Sequence, residues 1–157
     1  MTSGLQSKNS SNQNHPELSA FKALSTDEQL GLLWVLYEHM GESITPAAPG
    51  AAEAQFTQRL LEDVKAMEHS DQLAFMRDLV QKTATEKTKM YGGYTEDNKL
   101  LFWYQLAEEM AAGTVVPMPE GYELSSEAAK VFNNLAALDF NAQITVLRHA
   151  VLDMGAQ

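Results

Sequence analysis

The sequence of 157 residues contains no cysteine and no long apolar run. Without cysteine, disulfide scaffolds, thiol catalysis, iron–sulfur clusters and cysteine-ligated zinc are excluded. The longest strongly apolar run, from Leu32 to Tyr37, is far shorter than the ~20 residues that a membrane helix needs. The N-terminus also lacks the apolar stretch of a secretory signal. These absences predict a cytoplasmic protein that does not span a bilayer.

Positive charge is scarce as well. The chain has 11 Lys and Arg residues against 21 Asp and Glu residues, which gives a formal net charge of −10. Such a field repels phosphate backbones and anionic lipid surfaces, so a nucleic-acid partner is not expected. The hydrophobic content of 45% is sufficient for one sizeable core in one domain.

The first 17 residues differ in composition from the rest of the chain. Ser, Asn and Gln dominate residues 1–17, in which Met1 and Leu5 are the only large apolar residues. A segment of this kind cannot bury enough apolar surface to offset the entropy of ordering it. We therefore expect a flexible polar tail over residues 1–17 and a helical domain over residues 18–157.

From Phe21 onward, apolar residues recur at helical spacing and no alternating strand pattern persists. Ser25 and Glu28 have the spacing of a capping box, which predicts a helix that starts there and ends at Gly41. This helix and the one capped by Thr95 are apolar on most sides, which is typical of buried helices. Six or seven helices and an all-α fold are predicted. Besides the first one, the expected helices cover about 51–67, 70–83, a short piece before Gly92, 96–112, 126–138 and 141–154.

No catalytic or metal-binding pattern is present. The sequence contains no Glu-x-x-His pair, zinc-protease motif, phosphate-binding loop, dinucleotide glycine pattern or nucleophile elbow. Its four histidines, His15, His39, His69 and His149, fall in different segments. The sequence thus predicts neither an enzyme nor a metal site.

The large soft side chains have the most informative distribution. Both tryptophans lie on the two helices that are predicted to be buried, and each is followed by a tyrosine and a methionine. Such side chains suit a polarizable cavity as well as a solid core, and both interpretations stay open on composition alone. The residues concerned are Trp34, Tyr37 and Met40 on the first helix and Trp103, Tyr104 and Met110 on the second.

Five segments, in the same order and at the same spacing, resemble the N-terminal domain of the cyanobacterial orange carotenoid protein. They are DEQLGLLWVLYEHMG, TPAAPGAAEAQF, NKLLFWYQLAEEM, VVPMPEGYELS and AQITVLRHAVLDMG. The similarity covers about residues 20–155. The full-length family continues into a second domain, so this chain resembles the helical carotenoid proteins, which are stand-alone homologues of the N-terminal domain.

The resemblance implies a fold of two interleaved four-helix bundles that enclose a keto-carotenoid, with canthaxanthin or echinenone as the expected pigment. It also implies chloride as a bound ion. The pigment-binding residues that it implies by matching motif are Leu30, Leu33, Trp34, Tyr37, Met40, Ala48, Met76, Leu79, Leu100, Trp103, Tyr104, Ala107, Met110, Met118, Tyr122, Ile144, Thr145, Arg148, Val151 and Met154.

The function implied by the resemblance is photoprotection, in which the polyene takes energy from singlet oxygen and releases it as heat. Two alternatives stay open. The domain could dock on phycobilisomes at the cytoplasmic face of the thylakoid membrane through Arg148, or it could shuttle carotenoid from a separate homologue of the missing second domain. In full-length relatives that arginine pairs with a carboxylate of the second domain, so Arg148 is expected to be permanently exposed here.

Four positions depart from the family's pattern. Arg77 stands where a small cysteine is common, Tyr94 replaces a tryptophan, His149 replaces an asparagine, and Pro46 replaces an apolar residue. These changes bear on phycobilisome docking more than on pigment binding. Light-driven switching is not expected, because the resting state of full-length relatives depends on a carotenoid that bridges two domains.

Overall fold

The computed structural model describes residues 16–40 and 50–156, and for residues 50–55 it describes the backbone alone. Within these ranges the chain forms eight helices and no strand, which confirms the all-α fold. The helices are α1 (Pro16–Lys22), α2 (Thr26–Met40), α3 (Gly50–Lys65), α4 (His69–Gln81), α5 (Glu86–Gly92), α6 (Glu96–Ala112), α7 (Ser126–Ala136) and α8 (Phe140–Leu152).

Helix α1 extends into the segment that the sequence assigns to the polar tail. Pro16 and Glu17 form its first residues. Proline is favoured at this position because its fixed φ suits a helix and its missing amide hydrogen has no partner there. Leu18 and Phe21, three residues apart on one face, are buried beneath the helix. Residues 1–15, the remainder of the expected tail, lie outside the described residues.

Side-chain caps begin the helices that matter most for the site. The Ser25 hydroxyl accepts from the Glu28 amide at 3.2 Å, and the Glu28 carboxylate accepts from the Ser25 amide at 2.9 Å, so the predicted capping box is confirmed. Thr95 caps α6 in the predicted way, and Gly113 ends that helix with φ of 87°. Ser125 caps α7. The beginning of α2 and both ends of α6 are thus specified locally, whereas Gly41, which is predicted to end α2, lies outside the described residues.

The eight helices form two groups that are interleaved along the chain. In one group α1 packs on α7 and α8, and α2 packs on α7. In the other, α3 packs on α5 and α6, and α4 packs on α5. The groups meet where α2 contacts α4 and α6 and where α6 contacts α8. This arrangement corresponds to the two interleaved four-helix bundles implied by the resemblance.

The last residues of the chain tie the second group to the first. The Gly155 amide donates to the Leu79 carbonyl at 2.9 Å, and the Ala156 amide donates to the Thr88 carbonyl at 3.1 Å. Gly92 permits this contact, because a Cβ there would lie 1.8 Å from the Ala156 carbonyl oxygen. Residues 155 and 156 are therefore held against α4 and α5.

Candidate functional site

An apolar cavity of about 260 Å³ lies where the two helix groups meet. Helices α2, α4 and α6 line it together with the connector 113–125, which joins α6 to α7. Spaces between the helices of a bundle are common positions for small-molecule sites. The lining residues are Asp27, Leu30, Gly31, Leu33, Trp34, Tyr37, Leu73, Met76, Arg77, Trp103, Ala107, Met110, Val116, Pro117, Met118, Pro119 and Tyr122.

Half of the residues that the resemblance implies for pigment binding lie together on this cavity. They come from three helices and the connector, which are far apart in sequence, so the fold gathers them in one place. Whether they contact a ligand stays a prediction. These residues are Leu30, Leu33, Trp34, Tyr37, Met76, Trp103, Ala107, Met110, Met118 and Tyr122.

The other implied residues do not line this cavity. Ala48 lies outside the described residues. Tyr104 is next to a lining residue, since its ring centroid lies 6.4 Å from that of Tyr37. Met154 borders a second, more polar cavity of about 200 Å³. The remaining ones are Met40, Leu79, Leu100 and Val151, which are buried in the core, and Ile144, Thr145 and Arg148, which lie on α8 nearer the surface.

Arg148 does not have the exposed, unpaired position that the sequence predicts. Its guanidinium is half-buried and forms an ion pair with the Asp97 carboxylate in the first turn of α6. The expectation of a permanently exposed arginine is therefore wrong. Because α6 packs on α8, the carboxylate partner of Arg148 comes from within this chain.

Several lining residues have no counterpart among those that the resemblance implies. Gly31 carries a local signal, because a glycine inside a helix often marks a close approach of another segment. Leu73 belongs to the apolar stripe of α4, which also predicts an inward position. The charged pair of Asp27 and Arg77 is a tertiary contact between α2 and α4, and no sequence spacing indicates it. The others are Val116, Pro117 and Pro119 of the connector.

The cavity has a buried end and a solvent end. Tyr37 and Trp103, at the buried end, are each 4% exposed. At the solvent end, the Arg77 side chain is 44% exposed and the Asp27 side chain 65% exposed, and Tyr122 is more than one-third exposed. A long guest could therefore lie lengthwise, with one end near water and the part that follows it leading into the core.

Polar hydrogens at the buried end are already donated within the protein. The Tyr37 hydroxyl donates to the Leu100 carbonyl at 3.1 Å. The Trp103 indole donates to the Tyr91 hydroxyl at 3.0 Å, and that hydroxyl donates to the Val151 carbonyl at 2.6 Å. Burial raises the pKa of Tyr37 and of Tyr91 well above 10.0, so both phenols are neutral at physiological pH. The buried end thus offers ring faces to a guest.

A bidentate ion pair forms part of the solvent end. The Arg77 Nε–H donates to Asp27 Oδ1 at 2.9 Å, and its Nη2–H donates to Asp27 Oδ2 at 3.1 Å. The hydrogen bond from Arg77 lowers the pKa of Asp27, and the hydrogen bond to Asp27 raises the pKa of Arg77. Both groups are charged at neutral pH, and the pair joins α2 to α4 at the edge of the cavity.

A buried glutamine holds the connector 113–125 against the helices. Gln72 on α4 is fully buried. Its amide nitrogen donates to the carbonyls of Val64 and Thr114, each at 3.0 Å, and its amide oxygen accepts from the Val116 amide at 2.7 Å. These bonds position the beginning of the connector, and hence the cavity wall that follows it.

The chemistry of this arrangement is that of a binding site for an apolar guest. Aromatic faces and thioethers line the space and can remove apolar surface from water. Within residues 16–40 and 56–156, no three His, Asp or Glu side chains come together as metal ligands. No helix in that same part of the chain combines the length and hydropathy of a membrane span.

Comparisons with known proteins agree with the geometry. The sequence matches the family described as "Orange carotenoid protein, N-terminal" over residues 7–157. It is 49% identical over 138 residues to an orange carotenoid-binding domain-containing protein of Nostoc sp., which covers 88% of this chain and 81% of that protein.

Two solved structures extend the similarity to the fold. The Red Carotenoid Protein of Anabaena (Nostoc) sp. PCC 7120 binding canthaxanthin matches with a TM-score of 0.79 and 35% identity, over 90% of this chain and 96% of that one. The Orange Carotenoid Protein of the same organism, also binding canthaxanthin, matches with a TM-score of 0.83 and 42% identity over 90% of this chain. This chain spans 45% of that longer protein.

Proposed function

The chain belongs to the family of orange carotenoid protein N-terminal domains, and on this premise we propose that it binds a keto-carotenoid between its two helix groups. The observation that carries the proposal is the apolar cavity at that boundary, lined by both tryptophans of the chain. Canthaxanthin, which is bound in the two structures compared above, and echinenone are the pigments we expect. Chloride binding stays a prediction.

The dimensions of such a pigment support a path longer than the cavity itself. A C40 carotenoid is about 30 Å long, comparable to the apolar thickness of a bilayer. A compact chain of this length has a radius of gyration of about 15 Å, so the guest must cross most of the domain. We propose that its path continues from Tyr37 past Tyr104 towards α8, which carries the implied residues Ile144, Thr145, Arg148 and Val151. Burying this surface at about 25 cal/mol per Å² supplies a large driving force.

The proposed role is photoprotection. The conjugated chain would accept energy from singlet oxygen and lose it as heat, so the reactivity belongs to the cofactor. The protein would keep the pigment in aqueous solution, set its shape and leave it accessible. We propose a cytoplasmic location for this activity.

Loading in a canthaxanthin-producing host tests the binding step. We expect the purified protein to be coloured and the extracted pigment to have the mass of a keto-carotenoid. Trp34→Ser should alter the absorption band or reduce loading while helix content by circular dichroism is kept. Phe56→Ser is the matched control, since Phe56 is 67% exposed and does not line the cavity. Colourless wild-type protein with folded helices would contradict pigment binding.

The photoprotective role needs a separate measurement. We expect the pigment-loaded protein to shorten the lifetime of singlet-oxygen phosphorescence in solution, and the pigment-free protein to have a much weaker effect. Equal lifetimes with loaded and pigment-free protein would contradict the photoprotective role, and the protein would then be a pigment carrier only.

Phycobilisome docking is the second candidate function, and the Arg148–Asp97 ion pair gives it a specific test. Asp97→Asn releases Arg148 from its intramolecular partner. If docking uses this arginine, the variant should quench phycobilin fluorescence more strongly than the wild type at low salt. Unchanged fluorescence with both proteins would reject docking.

Carotenoid shuttling is the remaining alternative. Transfer of pigment from a loaded homologue of the second domain to the pigment-free protein, seen as a spectral change on mixing, would support it.

A further inference from the structure

Arg77 differs from every other residue on the cavity wall. It is the one positively charged side chain among the described lining residues. Asp27 accepts from two of the five N–H groups of its guanidinium, and no other residue in the described part of the chain accepts from it. Three N–H groups are therefore left for water or for a guest at the solvent end.

The two ends of the cavity differ in the hydrogen bonds that they can offer. At the buried end, the polar hydrogens of Tyr37 and Trp103 are donated to protein acceptors. An oxygen atom placed there would lose its hydrogen bonds to water without replacement. At the solvent end, Arg77 retains donors beside an otherwise apolar wall. An oxygen on a terminal ring of a guest thus finds its best partner at Arg77.

The same geometry penalises a guest without oxygen. A hydrocarbon ring at the solvent end would displace water from the guanidinium and return no hydrogen bond. Sites with buried or partly buried polar groups discriminate strongly against analogues that cannot pair with them. The Asp27 carboxylate favours this selection, because its two hydrogen bonds hold the planar guanidinium in one orientation.

We propose that Arg77 is a specificity-determining residue that donates a hydrogen bond to a keto oxygen on the terminal ring of the carotenoid, with Asp27 as its positioning residue. This inference rests on the proposed pigment binding and adds the basis for choosing oxygenated over hydrocarbon carotenoids. It also assigns the direction of the pigment, with an oxygenated ring at the edge formed by α2 and α4.

A competition experiment tests the selection. Pigment-free wild type and Arg77→Met are incubated with an equal mixture of canthaxanthin and β-carotene in detergent, and the bound pigments are extracted and quantified. Methionine approximates the aliphatic part of the arginine side chain but removes the donors. We expect the bound canthaxanthin to β-carotene ratio to fall about tenfold in the variant, the effect of one hydrogen bond to a charged group at a partly exposed site.

Lys22→Met is the matched control. Lys22 forms an ion pair with Asp153, and the two side chains are 44% and 42% exposed, close to the exposure of Arg77. This pair borders the second cavity and does not line the first. We expect the control to bind both pigments in the wild-type ratio, which would show that loss of a surface ion pair is not the cause.

A spectroscopic measurement separates recognition from a merely structural role. Echinenone has a single keto group, so the carbonyl stretch of the bound pigment reports on one site. We expect this band at a lower frequency in the wild type than in Arg77→Met, with Arg77→Lys restoring part of the shift. An unchanged pigment ratio and an unchanged carbonyl band would overturn the inference, as would equal loss of both pigments. If the wild type binds neither pigment, the proposed function itself fails.

Discussion

The Tyr122 hydroxyl occupies the space above Gly31, with its oxygen 1.9 Å from the position that a Cβ of residue 31 would take. Glycine inside a helix is about 1 kcal/mol less favourable than alanine. Helix α2 nevertheless has glycine at this position in its first half, because the connector 113–125 approaches the helix closely there. Tyr122 therefore packs directly on α2 at the solvent end of the cavity.

Replacing Gly31 with alanine should displace Tyr122 without unfolding the protein. The gain in helix propensity offsets part of the lost contact, so we expect the free energy of unfolding to change by less than about 1 kcal/mol. Pigment should exchange faster in the variant, because the displaced ring no longer covers the opening. The measurement is the rate at which loaded protein transfers canthaxanthin to an excess of liposomes.

A double-mutant cycle shows whether this effect acts through Tyr122. In a Tyr122→Ala background, Gly31→Ala should add little to the exchange rate, since the two changes remove one shared contact. Fully additive effects on the rate would contradict the coupling.

Gln72→Met should loosen the connector 113–125 more than the rest of the chain. The change leaves the Thr114 carbonyl and the Val116 amide without their buried partner, and each unpaired group costs about 1–3 kcal/mol. Hydrogen exchange should show lost protection of the Val116 amide, and chemical denaturation should show reduced stability. Gln58→Met is the control, because the amide of the exposed Gln58 bonds to Glu62 on its own helix and holds no connector.

The parts of the fold that the sequence predicts are those decided by near neighbours. The capping box of Ser25 and Glu28 and the end of α6 at Gly113 depend on residues a few positions apart. The burial of both tryptophan-bearing helices follows in the same way from their apolar periodicity. Sequence spacing therefore predicted the helices that build the cavity. Half of the site residues that the resemblance implies line it.

The parts that sequence reasoning missed depend on contacts between distant segments. Arg77 and Asp27 lie 50 residues apart, and Arg148 and Asp97 lie 51 apart. Such ion pairs require the packing of α2 on α4 and of α6 on α8, which no local pattern reveals. Helix α1 was missed because its apolar face has only two buried residues.

Tyr91→Phe should destabilise the protein by about 1–3 kcal/mol at neutral pH. The Trp103 indole loses its buried acceptor, whereas the Val151 carbonyl keeps the Met154 amide at 3.3 Å. Urea denaturation followed by circular dichroism measures the change. Tyr94→Phe is the control, because its half-buried hydroxyl donates to the Phe56 carbonyl at the surface, where water can replace it. Equal stabilities for the two variants would contradict a stabilising role of the buried hydrogen bonds that Tyr91 forms with Trp103 and Val151.

Tyr37 and Tyr91 should make the fold sensitive to alkali. Burial raises the pKa of Tyr37 and Tyr91 in the folded state above the ordinary value of 10.0. Above that value the unfolded chain releases these protons while the folded chain retains them, so the free energy of unfolding must fall as pH rises. Below it both states are protonated and the two groups cause no pH dependence.

As far as Tyr37 and Tyr91 determine it, we expect the urea midpoint of unfolding to stay constant from neutral pH to about pH 9 and to decrease progressively above pH 10. Tyr91→Phe should start from a lower midpoint but show a shallower decrease, since one of the two retained protons is absent. Parallel slopes for wild type and Tyr91→Phe would contradict the idea that proton retention by Tyr91 contributes to the alkaline limit.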